Sequence, residues 1–428
     1  MATTHRPPSP WIFALTAVPY GVAAAFAGQV MAFLTRAEGS DVESIGWYGT
    51  LLLFPTVLQF LYAPVVDFGP RRKHWLVAVS VVSAACMYAA AQMQLPDQMA
   101  PFLVLSFLAQ LISGLVGACN GGLMATLLPE AKQGQASAAL NVGNLAGGGI
   151  VGALAVYLLG HGYDRVLVGA FLAACMIVPS LAALAIDEPP RETTGSPKEA
   201  FGTTLREVGS VLGSRAGLTG VLMCLSPVGT AALATYFNGI AEDFVKPGLA
   251  HQLAGLDAAH AKQLLDGHIS SLVAWSTGVV GQVLTAIGAV VGGILCDRYN
   301  RRAMYLLAGS LTAVCGVLMA LGPVTETTFV FGSLTYALIM GFCYAAFTAA
   351  ALEIIGGEQQ AASTRYSLFT AAGNTAIMYV GFIDTRFHEA HGSSGVIASD
   401  AMLNIAGVVL LGAVFWRMGL FRKKAAAA

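Results

Sequence analysis

Uncharged stretches of about 20 residues or more recur along the whole 428-residue chain, and short polar breaks separate them. An α-helix rises 1.5 Å per residue, so about 20 apolar residues cross the hydrocarbon layer of a bilayer. The pattern predicts an all-α membrane protein with twelve transmembrane helices. Their predicted bounds are 11–34, 45–66, 75–93, 102–128, 135–159, 166–186, 218–241, 270–296, 303–321, 329–355, 366–387 and 401–420.

Composition and charge support this interpretation and exclude other classes of protein. Hydrophobic residues make up 56% of the chain and charged residues only 11%, whereas soluble domains carry about 25% charged residues because their surfaces face water. The 22 Lys and Arg residues are balanced by 23 Asp and Glu residues. No basic excess is therefore present to neutralise a phosphate backbone, and we expect no nucleic-acid partner.

The sequence contains no pattern typical of a cofactor or metal site. No lysine is followed by Ser or Thr, so the phosphate loop of an ATP-driven motor is missing. The run 147–152 has the glycine spacing of a nucleotide loop, but it lies inside a predicted span and so predicts close helix packing. The histidines and acids of 242–268 match no metal-ligand spacing, which favours a helical external loop. We expect neither a cofactor nor a metal ion.

The distribution of basic residues predicts the orientation in the membrane, since cytoplasmic loops are enriched in Lys and Arg. If both termini are cytoplasmic, Arg36, Arg165, Lys246, Lys262 and Arg386 lie outside, and the other 17 of the 22 basic residues lie inside. We therefore expect both termini to face the cytoplasm.

Three patterns in the first six spans recur in the last six. The pattern Asp-x-x-x-Arg-Arg follows span two at 67–72 and span eight at 297–302. Gly-Asn occurs at 143–144 and again 230 residues later at 373–374, and Pro-x-Gly occurs in spans one and seven. The repeat predicts two pseudo-symmetric six-helix bundles, 1–186 and 216–428.

The connection 187–215 is predicted to be a cytoplasmic linker with an amphipathic helix. This prediction rests on apolar residues at helical spacing with charged residues between them. They are Phe201, Leu205, Val208 and Leu212.

The loops after spans two and eight resemble the signature G-x-x-x-D-R-x-G-R-R of the major facilitator superfamily. The second copy, 293–302, departs from it only at Asn300, and the first copy departs at three positions, Ala63, Phe68 and Pro70. The resemblance implies a cytoplasmic latch in which each Asp caps the next helix and pairs with arginines. An ordinary positive-inside loop would explain the arginines but not two copies with the same spacing. The latch residues are Asp67, Arg71, Arg72, Asp297, Arg298, Arg301 and Arg302.

A shorter segment, 60–67, resembles the F-L-W-A-P-x-x-D segment of muropeptide permeases and acetyl-coenzyme A transporters. That branch also carries acidic residues in its fourth span, where this chain has the uncharged run 117–122. The resemblance implies a solute related to those of this branch.

The predicted membrane interior contains almost no ionisable groups. All eight histidines fall outside the predicted spans, and of the acids only Glu353 and Asp384 enter them, near opposite ends. Ion-coupled transporters usually keep an ionisable residue at depth. Glu130, Glu353 and Asp384 are therefore the candidates for coupling to protons, and the alternative for each is a carboxylate at a helix end.

The Pro-x-Gly patterns at 19–21 and 227–229 predict matched helix breaks, which mark the binding region in many transporters. Polar residues at comparable depth are candidate solute contacts, although each could instead join helices. They are Tyr20, Gln29, Asn120, Asn141, Asn144, Tyr236, Asn238, Gln282, Tyr344 and Asn374.

These observations predict a secondary transporter that takes up a medium-sized amphipathic or polar organic solute by alternating access. A muropeptide or a siderophore fits this description. We expect a monomer in a bacterial inner membrane, with the solute, membrane lipids and protons as partners. A lipid flippase or scramblase and a drug exporter on the same fold remain alternatives. An intramembrane enzyme is not expected, because it would need a nucleophile and a base at depth.

Overall fold

The computed structural model describes residues 7–38, 40, 42–190, 213–355 and 361–420, with 202, 206 and 209 as isolated positions. Within these ranges the regular elements are all helices. In the first half they are α1 Ile12–Ala37, α2 Trp47–Val57 with Gln59–Asp67, α3 Arg72–Ala91, α4 Met99–Leu127, α5 Glu130–Gly160 and α6 Arg165–Ala185. In the second half they are α7 in two parts, Arg215–Cys224 and Phe237–Leu253, then α8 Ala258–Arg298, α9 Arg301–Leu321, α10 Glu326–Ile355 and the long helix Ala362–Arg417.

These elements amount to twelve membrane-spanning helices. Nine helices of the described ranges are long and apolar enough to cross a membrane, and the pair forming α2, bent by 44°, is a tenth. The helix Ala362–Arg417 holds two spans, because Gly392 interrupts it with φ 65° and ψ −153°. We name these spans α11 (362–391) and α12 (393–417). The interrupted α7 completes the set, so the predicted all-α fold with twelve transmembrane helices is confirmed.

Helical structure continues into the predicted outer loop 242–268. Phe237–Leu253 and Ala258–Val273 are both α-helical, so the helical structure predicted for this segment is confirmed. As a result α8 is 41 residues long, about 60 Å, which is about twice the thickness of the hydrocarbon layer. The amphipathic helix predicted at Phe201, Leu205, Val208 and Leu212 lies outside the described residues.

The chain divides into two compact units. Unit 1 contains Met1–Cys224 and Thr348–Asn374, and unit 2 contains Leu225–Phe347 and Thr375–Ala428. In the core of unit 1, Phe26 of α1 packs on Phe102 of α4 with ring centroids 6.3 Å apart. In the core of unit 2, Phe237 packs edge-on against Phe329 and Tyr336 at centroid distances of 6.0 and 5.5 Å. Each unit thus has its own apolar core.

Glycines bring α1 and α5 of unit 1 into backbone contact. A Cβ atom on Gly21 would lie 2.1 Å from the carbonyl oxygen of Asn144, and one on Gly143 would lie 1.9 Å from that of Ala14. A Cβ on Gly148 would lie 2.3 Å from the carbonyl carbon of Gly21. Small residues allow this approach of two helices. The close packing predicted for the glycine run of span five is therefore observed at Gly148.

Candidate transport site

Asp67, at the end of α2, is the centre of a buried polar network within unit 1. Its Oδ1 accepts hydrogen bonds from the Arg72 guanidinium at 2.7 and 3.2 Å, and the two side chains are 2% and 3% exposed. Its Oδ2 accepts from the backbone and the hydroxyl of Thr364 at 2.9 and 2.8 Å. Ser363 joins the network, since its hydroxyl accepts from Arg72 at 2.8 Å. The sequence pattern pointed to Asp67 and Arg72 but not to Ser363 and Thr364.

Glu188, which sequence reasoning did not select, caps α3 in place of Asp67. Its two carboxylate oxygens accept the backbone N–H groups of Arg72 and Lys73, each at 3.0 Å, and its side chain is 4% exposed. The Lys73 ammonium donates to the Ile186 carbonyl at 2.7 Å. A carboxylate at a helix N-terminus is stabilised by the unpaired N–H groups and by the helix dipole. The expected capping role of Asp67 is therefore wrong, because its carboxylate is committed to Arg72 and Thr364.

The second copy of the pattern joins α8 to α9 in unit 2. Asp297 and Arg298 end α8, and Arg301 and Arg302 begin α9. Here the cap is Asn300, whose Oδ1 accepts the N–H of Ala303 at 3.1 Å. Asn300 stands where the superfamily signature has Gly, so the departure supplies a helix cap. Arg301 is 5% exposed. In the first copy, the carbonyl of Arg71 accepts the N–H of His74 at 2.9 Å.

Six of the predicted solute contacts lie in unit 1, and they differ in how far their polar groups are committed. Asn120 is fully buried, accepts the Thr16 hydroxyl at 2.6 Å and donates to the Thr16 carbonyl at 3.0 Å, so it joins α4 to α1. Asn374 is half-buried and donates to the Thr56 carbonyl at 3.3 Å. The half-buried Tyr20 interacts with the Asn374 side chain. Tyr20 and Asn374 therefore form an accessible polar pair.

Two of the other three predicted contacts of unit 1 lie in π-helical segments, and the third, Asn141, directly precedes one. Gln29 is exposed in the segment Phe26–Val30 of α1, and Asn144 is half-buried in Val142–Gly147 of α5. π-helical turns inside α-helices occur frequently at functional sites. Asn141, just before the second segment, is buried and donates to the Thr348 hydroxyl at 3.3 Å.

The Pro-x-Gly pattern of α7 breaks its helix, as predicted, whereas that of α1 does not. Helix Ile12–Ala25 continues through Pro19, so the expectation of matched breaks is wrong for α1. In α7 the stretch 225–231 is non-helical, and Gly229 has φ 62°. The backbone N–H of Gly229 donates to Asn404 at 2.8 Å, and the Val228 carbonyl accepts the Tyr305 hydroxyl at 2.7 Å. Side chains thus satisfy the backbone groups that the break leaves unpaired.

The remaining predicted solute contacts belong to unit 2. Tyr236 donates to the Gly381 carbonyl at 2.8 Å, and Tyr344 donates to the Thr230 carbonyl beside the α7 break at 3.0 Å. Gln282 is half-buried in α8. The side chain of Asn238 lies outside the described part of the structure.

The three candidate acids have different environments. Glu130 is exposed at the start of α5, and Glu353 is half-buried near the end of α10. Asp384 is fully buried in α11 and accepts a hydrogen bond from Ser399. Asp400, expected outside the spans, is fully buried in α12. The interior of unit 2 therefore holds a second acid in addition to Asp384, whereas the sequence predicted only Asp384 within a span there.

Twelve membrane-spanning helices, one of them broken at polar contacts, are the features of a multi-pass membrane transport protein. The sequence model of the Major Facilitator Superfamily matches residues 11–381. The chain therefore belongs to this superfamily, which moves small-molecule solutes.

Comparisons with individual proteins agree with this assignment. The chain is 23% identical over 400 residues to the anhydromuropeptide permeases of Escherichia coli K12 and O157:H7, covering 90% of this chain and 75% of each relative. The crystal structure of the human organic anion transporter MFSD10 (TETRAN) superposes with a TM-score of 0.65 at 14% identity, covering 94% of this chain and 98% of that one. The transporter FucP in its outward conformation gives 0.64 at 14% identity, covering 94% and 97%. These two structures share the fold with this chain.

Proposed function

We propose that the protein takes up a medium-sized polar or amphipathic solute of the muropeptide type by alternating access. The likeness to anhydromuropeptide permeases along 90% of the chain carries this proposal. A muropeptide combines sugar hydroxyls with peptide amides, and phenol and amide side chains such as those of Tyr20 and Asn374 can bind both groups. A siderophore has comparable chemistry and is the second solute to test.

The proposed cycle uses two six-helix halves, 1–186 and 216–428, joined by the linker 187–215. The Asp67 network acts as the cytoplasmic latch in its first copy, together with Arg71, and the residues around Asp297 act in the second. Residues 363 and 364, which bond to Asp67 within unit 1, belong to the second half in sequence. Breaking this network would therefore separate segments of both halves on the cytoplasmic side.

The solute is proposed to bind at the half-buried Tyr20–Asn374 pair of unit 1. The break in α7 is a separate candidate contact within unit 2, because unwound backbone in transport helices often lies at the binding region and the predicted contact Tyr344 lies beside it, bonded to Thr230. The protein is proposed to work as a monomer in a bacterial inner membrane, with both termini in the cytoplasm. Lipids contact it along an apolar groove of about 320 Å³ between α9 and α12, lined by Val314, Leu318, Ile405 and Val409.

Counterflow in reconstituted vesicles tests the proposed function. Vesicles loaded with unlabelled anhydromuropeptide should take up the labelled compound saturably, and Tyr20→Phe and Asn374→Ala should each raise the half-saturating concentration. Loss of one hydrogen bond of about 0.5–1.5 kcal/mol corresponds to about a two- to tenfold change. Tyr157→Phe is the matched control, since Tyr157 is 58% exposed on α5.

Two results would contradict these proposals. Vesicles that exchange neither anhydromuropeptides nor siderophores would remove the proposed solute class. Uptake unaffected by Asp67→Asn combined with Asp297→Asn would refute the proposed role of these residues as a latch.

A further inference from the structure

Two acidic side chains of unit 2 are buried completely, although both lie close to the polar segment 388–394. Asp384 and Asp400 are each 0% exposed. They lie eight residues before and eight residues after Gly392, where α11 and α12 meet. Eight helical residues span about 12 Å, so both carboxyl groups lie at a similar depth below the junction of the two helices.

Each carboxyl group has one oxygen that accepts hydrogen bonds from neutral groups. Asp384 Oδ1 accepts from the Ser399 hydroxyl. Asp400 Oδ2 accepts from the Tyr336 hydroxyl at 3.2 Å and from the Asn404 amide at 3.3 Å. The main chain of Leu233 adds a further favourable interaction to Asp400.

The second oxygen of each group, Oδ2 of Asp384 and Oδ1 of Asp400, is buried and has no hydrogen-bond partner of normal geometry within the described ranges. Each of these atoms is therefore a buried acceptor with unused capacity. Burying a carboxylate without a cation or a full set of donors is strongly unfavourable. The pair consequently calls for a positively charged ligand.

No basic side chain among the described residues forms an ion pair with either carboxyl group. The titratable groups that interact electrostatically with Asp384 or Asp400 are Tyr236 of α7, Cys315 of α9 and Tyr336 of α10. On α11, His388 stacks on Tyr236 with centroids 6.3 Å apart. Arg386 of the same helix is bound to Glu389 at 3.2 Å and lies over the ring of Phe382.

The hydrogen count at Ser399 points to a proton as the ligand. A hydroxyl has one hydrogen to donate, but Ser399 Oγ contacts two acceptors, the Val396 carbonyl at 3.1 Å and Oδ1 of Asp384. Both contacts become hydrogen bonds when Asp384 carries a proton, because Asp384 then donates to Ser399 and Ser399 donates to Val396. The geometry therefore matches a protonated Asp384.

A chain of hydrogen bonds connects this pair to the broken transport helix. The Asn404 amide donates to the Asp400 carboxyl group and to the Asp400 carbonyl at 2.9 Å. Its oxygen accepts the N–H of Gly229, inside the break of α7. Loss of a proton from the pair would leave two negative charges together in the interior of unit 2. If the two carboxylates moved apart to relieve that repulsion, the hydrogen bonds of Asn404 would transmit the movement of Asp400 to Gly229 in α7.

We propose that Asp384 and Asp400 together bind one exchangeable proton, and that this proton drives solute accumulation. The proposal rests on the proposed transport function and names its coupling ion and site. One O–H bond forms on binding and breaks on release, and the proton passes between the pair and the aqueous phase. Of the three acids suggested by the sequence, it selects Asp384 and pairs it with Asp400.

Two transport measurements on the full-length protein in vesicles test the site. Accumulation of labelled anhydromuropeptide is driven by a pH difference of about one unit, which supports about a tenfold concentration ratio for one proton per solute. Counterflow is measured without any gradient. We expect Asp384→Asn and Asp400→Asn to lower the accumulation ratio from about ten to about one while counterflow continues.

Asp243→Asn is the matched control. Asp243 is a carboxylate of α7 that also accepts a serine hydroxyl, that of Ser393 in α12, but it is exposed to solvent. It should retain both accumulation and counterflow. Accumulation that persists in both Asp384→Asn and Asp400→Asn would overturn the proposal. Accumulation driven by a sodium gradient instead of a pH difference would overturn the assignment of the ion.

Infrared spectroscopy tests the proton independently of transport and of the solute. The wild-type protein should show the carbonyl band of a buried, protonated carboxyl group at neutral pH, and Asp384→Asn combined with Asp400→Asn should remove it. Wild-type protein without such a band overturns the proton site, even if a variant fails to fold. A band without any solute exchange would refute the proposed transport function and leave the proton site standing.

Discussion

The contact between α1 and α5 predicts that a single added methyl group will destabilise unit 1. In Gly143→Ala the new Cβ would lie 1.9 Å from the Ala14 carbonyl oxygen, where an ordinary contact begins at 3.4 Å. The obstacle is main chain on both sides, so no side-chain rotation relieves it and the helices must separate by more than 1 Å. Overpacking of this kind lowers the free energy of unfolding by about 1–3 kcal/mol. The higher helix propensity of Ala offsets about 1 kcal/mol of that loss.

Gly28→Ala is the matched control for this change. Gly28 lies in α1, and apart from its chain neighbours and its own helix backbone no atom lies within 4 Å of the place where its Cβ would be. It should therefore show only the gain in helix propensity, about 1 kcal/mol. The overpacking cost of Gly143→Ala, about 1–3 kcal/mol, is then the difference between the two variants.

Equilibrium unfolding in mixed micelles with increasing dodecyl sulfate, followed by far-ultraviolet circular dichroism, measures this difference. Gly143→Ala should unfold at a lower dodecyl sulfate fraction than the wild type, and Gly28→Ala at the same or a higher one. If the two variants unfold together, the close approach of α1 and α5 does not exist and the reasoning is refuted.

Three further predictions concern other parts of the molecule. Asp67→Asn removes one partner of the buried ion pair with Arg72 and should lower the free energy of unfolding by about 3–5 kcal/mol in the same assay; an unchanged midpoint would contradict it. Gly229→Ala should reduce counterflow, because its Cβ would lie 1.9 Å from Cys343 Sγ at a φ of 62°, and Cys343→Ala should restore part of the loss. Hydrogen bonds from the backbone and the side chain of the next helical turn hold the pKa of Asp257 below its usual value. The stabilising effect of ionised Asp257 is therefore present above the unfolded pKa of about 3.9 and is lost as the pH falls through the lower folded value. Amide exchange at 258–260, corrected for its intrinsic rate, should rise in strong acid and in Asp257→Ala. An unchanged rate would refute the role of Asp257 as the N-cap of this helix.

The number of spans could be predicted from the sequence because the length of an uncharged stretch is a local property. The same reasoning failed for Asp400, which follows a polar segment and was therefore expected outside the membrane. Its burial depends on Tyr336, 64 residues away, and on a helix that continues on both sides of Gly392. Neither fact is visible in the local pattern.

The two Pro-x-Gly patterns show the same limit. They share Pro and Gly at the same spacing, yet α1 stays helical through Pro19 and α7 is broken around Gly229. In α7 the unpaired backbone groups are satisfied by Asn404 and Tyr305 from distant parts of the chain. Long-range partners decide which helix can break, so a local signature predicts only where a break is tolerated.

The helix α8, with 41 residues, is about twice as long as the hydrocarbon layer is thick. If α8 stands upright in the bilayer, this excess forms an arm about 30 Å long beyond it. A change in tilt of about 10° within the membrane would swing the tip of this arm by about 5 Å. Small rotations of one helix are thereby magnified at the protein surface, where an attached probe can follow them.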